Sequence, residues 1–485
     1  MEGDMSSLSL VCHTLRRQLL CVIMRVDLTV RVQGAFVYSC ITSCHVPNLF
    51  LSVFPVGYPF ALVYRWFFFH QSATVVHLFH TFSGLALATF NFGSQVYHSL
   101  LCIVIQFLLL RLMGRTVTCV LSSFIFQMIY LLMGYYYTAT EEYDIKWTMP
   151  HCVLTLKLIG LALDYYDGGK EQKSSLNSTP SLLEVFGFSY FYGGFLVGPQ
   201  FTLQNYQHLV SREMSDVPGQ PPNSVVPAMK RFGLGLITLS VFAIGGRHYS
   251  DSYFLTDEFE AHPFWYKCVY MLVWVKINLY KYISCWLITE GVCILSGLGY
   301  NGKNEKGEHQ WDACANVRVW LFETTPLFTG TINSFNINTN AWVARQVFKR
   351  LRFLGNKLLS QMFTLLFLAV WHGLHSGYLI CFSLEFIIVN VERQAETLVR
   401  DSPLLTSIAQ SHLYPFVYVV QQLIHWLFMG YPLVPFCLFT YDKWLKVYSS
   451  IYFSGHIFFF IAFLVLPYLR KVFVPRKRGS EKKED

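Results

Sequence analysis

Charge is scarce in this sequence: Asp, Glu, Lys and Arg make up 14% of its 485 residues, where a soluble domain carries about 25%. Beside a hydrophobic content of 53%, that deficit excludes a water-soluble globular chain. No long polar segment interrupts the apolar runs between about residue 49 and residue 470, which leaves no room for a separate soluble domain. Nor is there an extended run of Lys or Arg. With a net charge of only +8, the basic residues read as cytosolic loops and interface anchors, and no nucleic-acid partner is expected. None of the 13 cysteines forms a CxxC pair, which argues against a disulfide framework or a metal site. Cys102, Cys119, Cys285 and Cys293 lie within apolar runs, as small buried hydrophobes do. The 16 histidines include no adjacent His-His pair, and no fixed-period repeat is evident.

What is present is a succession of apolar segments. Residues 1 to 48 are an atypical N-terminal segment that mixes Arg and Cys with short apolar pieces, showing neither a clean signal peptide nor a full span. Residues 49 to 470 form a multi-span domain. Its first run, Leu49 to Phe69, is long enough to cross a bilayer and carries Pro55 and Pro59. Further runs cover about 73 to 92, 95 to 113 and 116 to 137, the last closing on Tyr135, Tyr136 and Tyr137 as an interfacial belt. The short run 150 to 163 carries Lys157 and reads as a buried or tilted piece. The polar loop 167 to 180 contains the triplet Asn177-Ser178-Thr179, a glycosylation sequon if lumenal. The next stretch is broken by Gly187, Gly193, Gly194 and Gly198-Pro199, as expected of helices too short to cross or of a re-entrant element enclosed by protein. Residues 264 to 298 are too long for one span and hold Lys276, Lys281 and Glu290, so part of them is expected to line an interior. The fold class is therefore an all-α polytopic membrane protein with roughly nine to twelve membrane helices, some broken or tilted.

The chain closes on a basic tail, residues 471 to 485, ending VPRKRGSEKKED. Arg470, Lys471, Arg476, Lys477 and Arg478 directly after the last apolar run predict a cytosolic C-terminus by the positive-inside rule. Lys482 and Lys483, followed by Glu484 and Asp485, match a di-lysine retrieval signal, which predicts a multi-pass protein of the endoplasmic reticulum membrane.

The stretch from Ser334 to Tyr378 carries the chemistry. It begins SFNINTNAW, continues through the basic segment ARQVFKRLRFLGNK and the apolar run LLSQMFTLLFLAV, and ends WHGLHSGY. A helix entering the membrane at Leu358 reaches Trp371 after 14 residues, a rise of roughly 21 Å against a hydrocarbon core of about 30 Å. His372 then lies deep in the bilayer, where an ionisable side chain is costly unless it faces a protein interior or wet cavity. His372 and His375 share a face if the helix is continuous, and spacing alone does not choose between them. Burial keeps such an imidazole neutral and available as a base for a hydroxyl proton. The tract TGTINSFNINTN is too rich in Asn, Thr and Ser to face lipid. It belongs at a surface or against a polar cavity, where a carboxamide can serve a developing oxyanion. Arg345 and Lys349 of the basic segment are candidates for the phosphates of a soluble cosubstrate, although positive-inside anchoring explains them equally.

Two other classes compete. A membrane di-iron oxygenase would use His77 and His80 as one HxxH pair but needs several histidine boxes. A transporter would use the broken helices to line a path, and no inverted repeat is visible.

At SFNINTNAW and WHGLHSGY the chain resembles the membrane-bound O-acyltransferase family, whose usual active pair is an Asn and a distant His within a WHG motif. The stretches HLFHTFSGLALATFNFG, GFSYFYGGFLVGPQF, WDACANVRVWLFET and QQLIHWLFMGY extend the resemblance to lysophospholipid-acylating members, from about residue 57 to the C-terminus. Residues 1 to 48 lie outside it. The resemblance implies that family's fold and an active pair of His372 and Asn336; Trp371, His375, Arg345 and Lys349 are expected toward substrates from the reading of the residues themselves. It also implies acyl-CoA as a cosubstrate with no further cofactor. The acceptor it implies is the sn-2 hydroxyl of a lysophospholipid, chiefly lysophosphatidylcholine, also lysophosphatidylethanolamine and lysophosphatidylserine, with unsaturated acyl chains preferred. A different lipid or protein acceptor is the alternative within the family.

Overall fold

The computed structural model describes residues 57–140, 146–168, 176 and 178–474. The expectations for residues 1 to 48, for Asn177 and for Lys482, Lys483, Glu484 and Asp485 lie outside these residues.

Helices account for nearly all regular structure. In chain order they are α1 (57–68), α2 (Ala73–Phe92), α3 (Tyr97–Met113), α4 (Val117–Thr138), α5 (Thr148–Tyr166), α6 (Leu182–Ser189), α7 (Leu203–Val210) and α8 (Val225–His248). After them come α9 (Phe264–Ser296), α10 (Val319–Thr324), α11 (Phe328–Ser334), α12 (Ile337–Val343), α13 (Lys357–His372), α14 (Ser376–Asp401), α15 (Tyr414–Leu438), α16 (Tyr441–Ser450) and α17 (Ser454–Phe473). Extended pairing among the described residues is confined to the isolated bridges Lys303–His309 and Val317–Phe335.

Among the described residues, five helical stretches are long and apolar enough to cross a membrane: Ala73–Met113, Val117–Thr138, Val225–Leu255, Tyr414–Leu438 and Ser454–Phe473. Such helices close every backbone hydrogen bond internally, which lipid requires. Helices α5, α9 and α14 are also of spanning length, at 19, 33 and 26 residues, but bury polar groups. Lys157 on α5 is buried over the Phe201 ring, 4.0 Å from its centroid. On α9, Glu290 is paired with Arg231 of α8 at 3.0 Å, and Lys276 sits 3.4 Å from the Trp426 ring centroid. The chain around residues 181–201 forms the short α6 followed by turns, and residues 187–196 are buried throughout.

The helix α9 is a shared wall. Its residues Tyr270, Trp274, Ile283 and Leu287 pack with α14 and α15, while Val292, Cys293 and Leu295 at its end pack with α2, α5 and α6. A third cluster, with Leu131, Leu156, Trp342, Leu368 and Trp371, joins α4, α5, α12 and α13. Helix α6 approaches α2 so closely that a Cβ on Gly84 would stand 1.7 Å from the Tyr190 carbonyl oxygen.

Two glycines separate these situations cleanly. Gly84→Ala is expected to cost about 1–3 kcal/mol by overpacking. Gly233→Ala, on α8 with no atom within 4 Å of the added methyl, is expected to stabilise by up to about 1 kcal/mol through helix propensity. Thermal unfolding of the detergent-solubilised variants, followed by tryptophan fluorescence, checks the contrast; equal midpoints would contradict the α2–α6 contact.

Candidate active site

One cavity of about 630 Å³ opens among α4, α5, α9, α11, α12, α13, α14 and α15, within the range of small-molecule sites. Asn336, Trp371, His372 and His375 all line it. Residues about forty apart in sequence are thus brought to one space by two separate breaks in helical structure.

The first break lies between α11 and α12. Asn336 adopts a left-handed conformation, φ 51° and ψ 44°, which Asn tolerates better than most residues with a side chain. Outside a helix its neighbours lose their ladder partners, and the segment around Asn316 supplies replacements. Arg318 N–H donates to the Ser334 carbonyl at 2.8 Å, Ile337 N–H to the Asn316 carbonyl at 3.0 Å, and Asn338 N–H to Asn316 Oδ1 at 2.9 Å. The other two carboxamides are committed to backbone. Asn338 Nδ2 donates to the carbonyls of Cys314 and Ala315, and Asn340 Nδ2 to those of Ile332 and Phe335. Asn336 differs: its Oδ1 accepts a long 3.4 Å bond from Asn316 Nδ2, and its own Nδ2 has no acceptor among the described residues.

The second break follows His372. Helix α13 starts at an Asn356 side-chain cap and runs 16 residues to His372, about 24 Å. Gly373 then takes φ 148°, a conformation that favours glycine, and a Cβ there would meet Tyr378 at 3.0 Å. His375 caps the next helix, α14. The two histidines therefore do not share the face of one continuous helix: His372 ends α13 and His375 precedes α14. Gly377 lets α14 abut α15, where an added Cβ would stand 2.0 Å from the Pro435 carbonyl oxygen.

His372 is enclosed by rings, with centroids of Trp371, Tyr378, Phe382 and Phe436 at 4.5, 5.6, 5.4 and 5.1 Å. No protein hydrogen bond engages either ring nitrogen among the described residues. Trp371 fixes this end of α13: its Nε1–H donates to the Cys152 carbonyl on α5 at 2.9 Å, and its carbonyl accepts from Tyr135 Oη–H on α4 at 3.0 Å. His375 lies beside the rings of Tyr378 and Phe439.

The basic segment is placed differently. Arg345 and Lys349 do not line the cavity. Arg345 faces Asp164 of α5 at 3.5 Å, neighbouring Gln346 donates to the same carboxylate at 2.8 Å, and Arg350 pairs with Asp167. Lys349 is exposed. The lysines that do line the cavity are Lys146 and Lys281. Of these only Lys281 was expected toward an interior. Asn316, Tyr378 and Glu385 also line the cavity; Tyr378 closes WHGLHSGY and Asn316 lies within WDACANVRVWLFET, whereas Glu385 stands in no local motif. The HxxH pair is occupied elsewhere, since His77 Nδ1 and His80 Nδ1 both meet the buried Tyr206 hydroxyl, at 3.0 and 3.1 Å.

An imidazole with open nitrogens and a carboxamide with an open N–H, facing one enclosed space, suit removal of a hydroxyl proton and stabilisation of an oxyanion. The chain belongs to the membrane-bound O-acyltransferase family, whose model matches residues 132–434, a segment containing both residues. It is a multi-pass membrane acyltransferase. Among its curated relatives, the lysophospholipid acyltransferase 5 of Homo sapiens is 63% identical over 446 residues, covering 90% of this chain and 91% of the human protein. The lysophospholipid acyltransferase 5 of Drosophila melanogaster is 40% identical over 417 residues, 83% of each chain. The lysophospholipid acyltransferase of Schizosaccharomyces pombe is 28% identical over 347 residues, 68% of each chain.

The three asparagines are expected to separate by stability. Asn338→Ala and Asn340→Ala each leave two carbonyls at this break without their side-chain donor and should cost about 1–3 kcal/mol. Asn336→Gly, which keeps the left-handed backbone, should stay within about 0.5 kcal/mol of the parent. Thermal midpoints in detergent check the order, and an Asn336→Gly as destabilised as the other two would make Asn336 a structural residue.

Proposed function

We propose that this chain acylates lysophospholipids, transferring an acyl group from acyl-CoA to the free sn-2 hydroxyl of lysophosphatidylcholine first, and also of lysophosphatidylethanolamine and lysophosphatidylserine, in phospholipid remodelling. The observation that carries the reading is the open His372 imidazole and the open Asn336 amide on one cavity, while Asn338 and Asn340 are committed to backbone. The names of its relatives support the acceptor class. A preference for unsaturated acyl chains belongs to the same reading.

In this mechanism a nitrogen of His372 takes the proton of the acceptor hydroxyl as its oxygen attacks the thioester carbonyl. The Asn336 N–H donates to the oxyanion that forms. Collapse breaks the carbon–sulfur bond, and the departing thiolate takes the proton back from His372, leaving phospholipid and free CoA. The step balances without an oxidant or reductant, so the reading calls on no metal or further cofactor. Trp371 acts through His372, as a positioning residue tied to α4 and α5. His375 lines the same cavity on the substrate side in this reading, and Arg345 and Lys349 serve the outer surface rather than the reacting centre. The di-lysine tail supports residence in the endoplasmic reticulum membrane with the C-terminus in the cytosol.

His372→Ala is expected to lower acyl transfer by about 10³-fold or more, and Asn336→Ala to lower kcat by about 10²-fold with little change in the KM for acyl-CoA. His375→Ala should cost less than about tenfold. Steady-state assays of purified protein with acyl-CoA and lysophosphatidylcholine measure all three; a His375 variant more impaired than the His372 variant would reverse the roles. Replacing Lys482 and Lys483 with Ser should move a tagged protein toward the Golgi without loss of activity in isolated membranes. A C-terminal tag reached by antibody only after the lumenal side is permeabilised would contradict the orientation.

A further inference from the structure

Among the described residues, acidic side chains inside this helical bundle are partnered, with one exception. Glu290 pairs with Arg231 and Glu323 with Lys276. Asp164 and Asp167 pair with Arg345 and Arg350. Glu392 accepts from the N–H groups of Phe328 and Thr329 at the start of α11. Glu385 lines the cavity and has no ion pair or hydrogen bond among the described residues. A carboxylate left so inside a membrane protein is costly and marks a functional position.

Its place on α14 indicates what it meets. Tyr378, Cys381, Phe382, Glu385 and Ile388 all line the cavity, the spacing of one helix face. Phe382 stacks on His372 at 5.4 Å, and Glu385 lies one turn further along, an axial step of about 4.5 Å. In a zwitterionic lysophospholipid, the headgroup nitrogen is separated from the sn-2 oxygen by eight bonds, about 10 Å when extended. With that oxygen at His372, a headgroup laid along this face is long enough for its ammonium to come to Glu385.

We propose that Glu385 is a headgroup-specificity residue, which receives the cationic nitrogen of choline or ethanolamine lysophospholipids and so favours them over acceptors without a cation. The inference rests on the acyl-transfer reading above. It makes Glu385 a binding residue: the ammonium supplies the positive charge that the protein does not place beside this carboxylate, and the contact forms equally in ground and transition states. Its loss therefore raises KM for the acceptor and leaves kcat nearly unchanged.

The test uses full-length purified protein, acyl-CoA and four acceptors: lysophosphatidylcholine, lysophosphatidylethanolamine, lysophosphatidylinositol, and a lysophosphatidylcholine analogue with a neutral 3,3-dimethylbutyl group in place of choline. The parent is expected to show a KM about tenfold or more higher for the neutral analogue than for lysophosphatidylcholine. Glu385→Gln should raise KM for the choline and ethanolamine acceptors by a similar factor and make the choline acceptor and its neutral analogue equivalent. Glu385→Asp should retain part of the discrimination. Equal KM for the two isosteres in the parent overturns the inference even if no variant folds, as does a Glu385→Gln that loses all acceptors alike or keeps the preference. A parent that acylates no lysophospholipid overturns the acyl-transfer reading itself, and this inference with it. A parent active on lysophosphatidylcholine but indifferent to the headgroup charge leaves that reading standing and removes only the role of Glu385.

Discussion

Backbone that departs from helix inside a lipid-embedded bundle has no solvent to satisfy it, and the hydrogen bonds around Asn316 are what allow such a departure at Asn336. One side chain and one carbonyl of Asn316 receive the N–H groups of Ile337 and Asn338. The side chains of Asn338 and Asn340 then satisfy four carbonyls on either side. An Asn-rich tract that would fail as a lipid-facing helix succeeds here because its amides replace the missing ladder bonds. Asn336 is the residue that this arrangement leaves with an open donor at the cavity.

The histidine side depends on packing of a different kind. Helix α13 is anchored by Trp371 to both α4 and α5, and the chain reverses at Gly373 without extending the helix into the cavity. Gly377 against Pro435 then sets α14 close to α15, whose Phe436 closes the ring wall around His372. The long α9 borders both halves of the core. Its Glu290 is compensated by Arg231 of α8, its half-buried Lys276 by Glu323, and its buried Lys267 by the carbonyls of Glu260 and Ser450, so the wall can carry polar residues without facing lipid.

Much of this was legible from residue patterns, and the gaps have physical causes. The polar tract 329–340 announces itself because it does not fit the lipid environment its neighbours occupy, and the apolar run 358–370 because it carries the ionisable His372 deep into the bilayer. Spacing alone left His372 and His375 equivalent, since a three-residue interval implies a common face only on an unbroken helix, and Gly373 breaks it. The WHG resemblance made the choice. The ion pair of Arg345 was not legible, because its partner, Asp164, lies some 180 residues earlier and no local pattern reports an ion pair across helices. His77 and His80 are on one face of α2, as an HxxH pair should be, but what they face is the hydroxyl of Tyr206. Glu385 stood unnoticed within YLICFSLEFIIVNV, because a single acidic residue at helical spacing becomes informative only once its neighbours are known to lack a cation.

The four rings around His372 bear on a competition between nucleophiles. In the proposed acyl transfer, a thioester beside His372 can be lost to water as well as delivered to a lipid hydroxyl, and water is far more abundant. A water molecule needs two to four polar partners to reside in a protein interior, and Trp371, Phe382 and Phe436 present carbon faces to the imidazole. A lipid alcohol arrives tethered to its own glycerol and chain, so its binding does not depend on polar contacts at the ring wall. In the proposed reaction, the aromatic enclosure would disfavour hydrolysis of the acyl donor at His372 until an acceptor is in place.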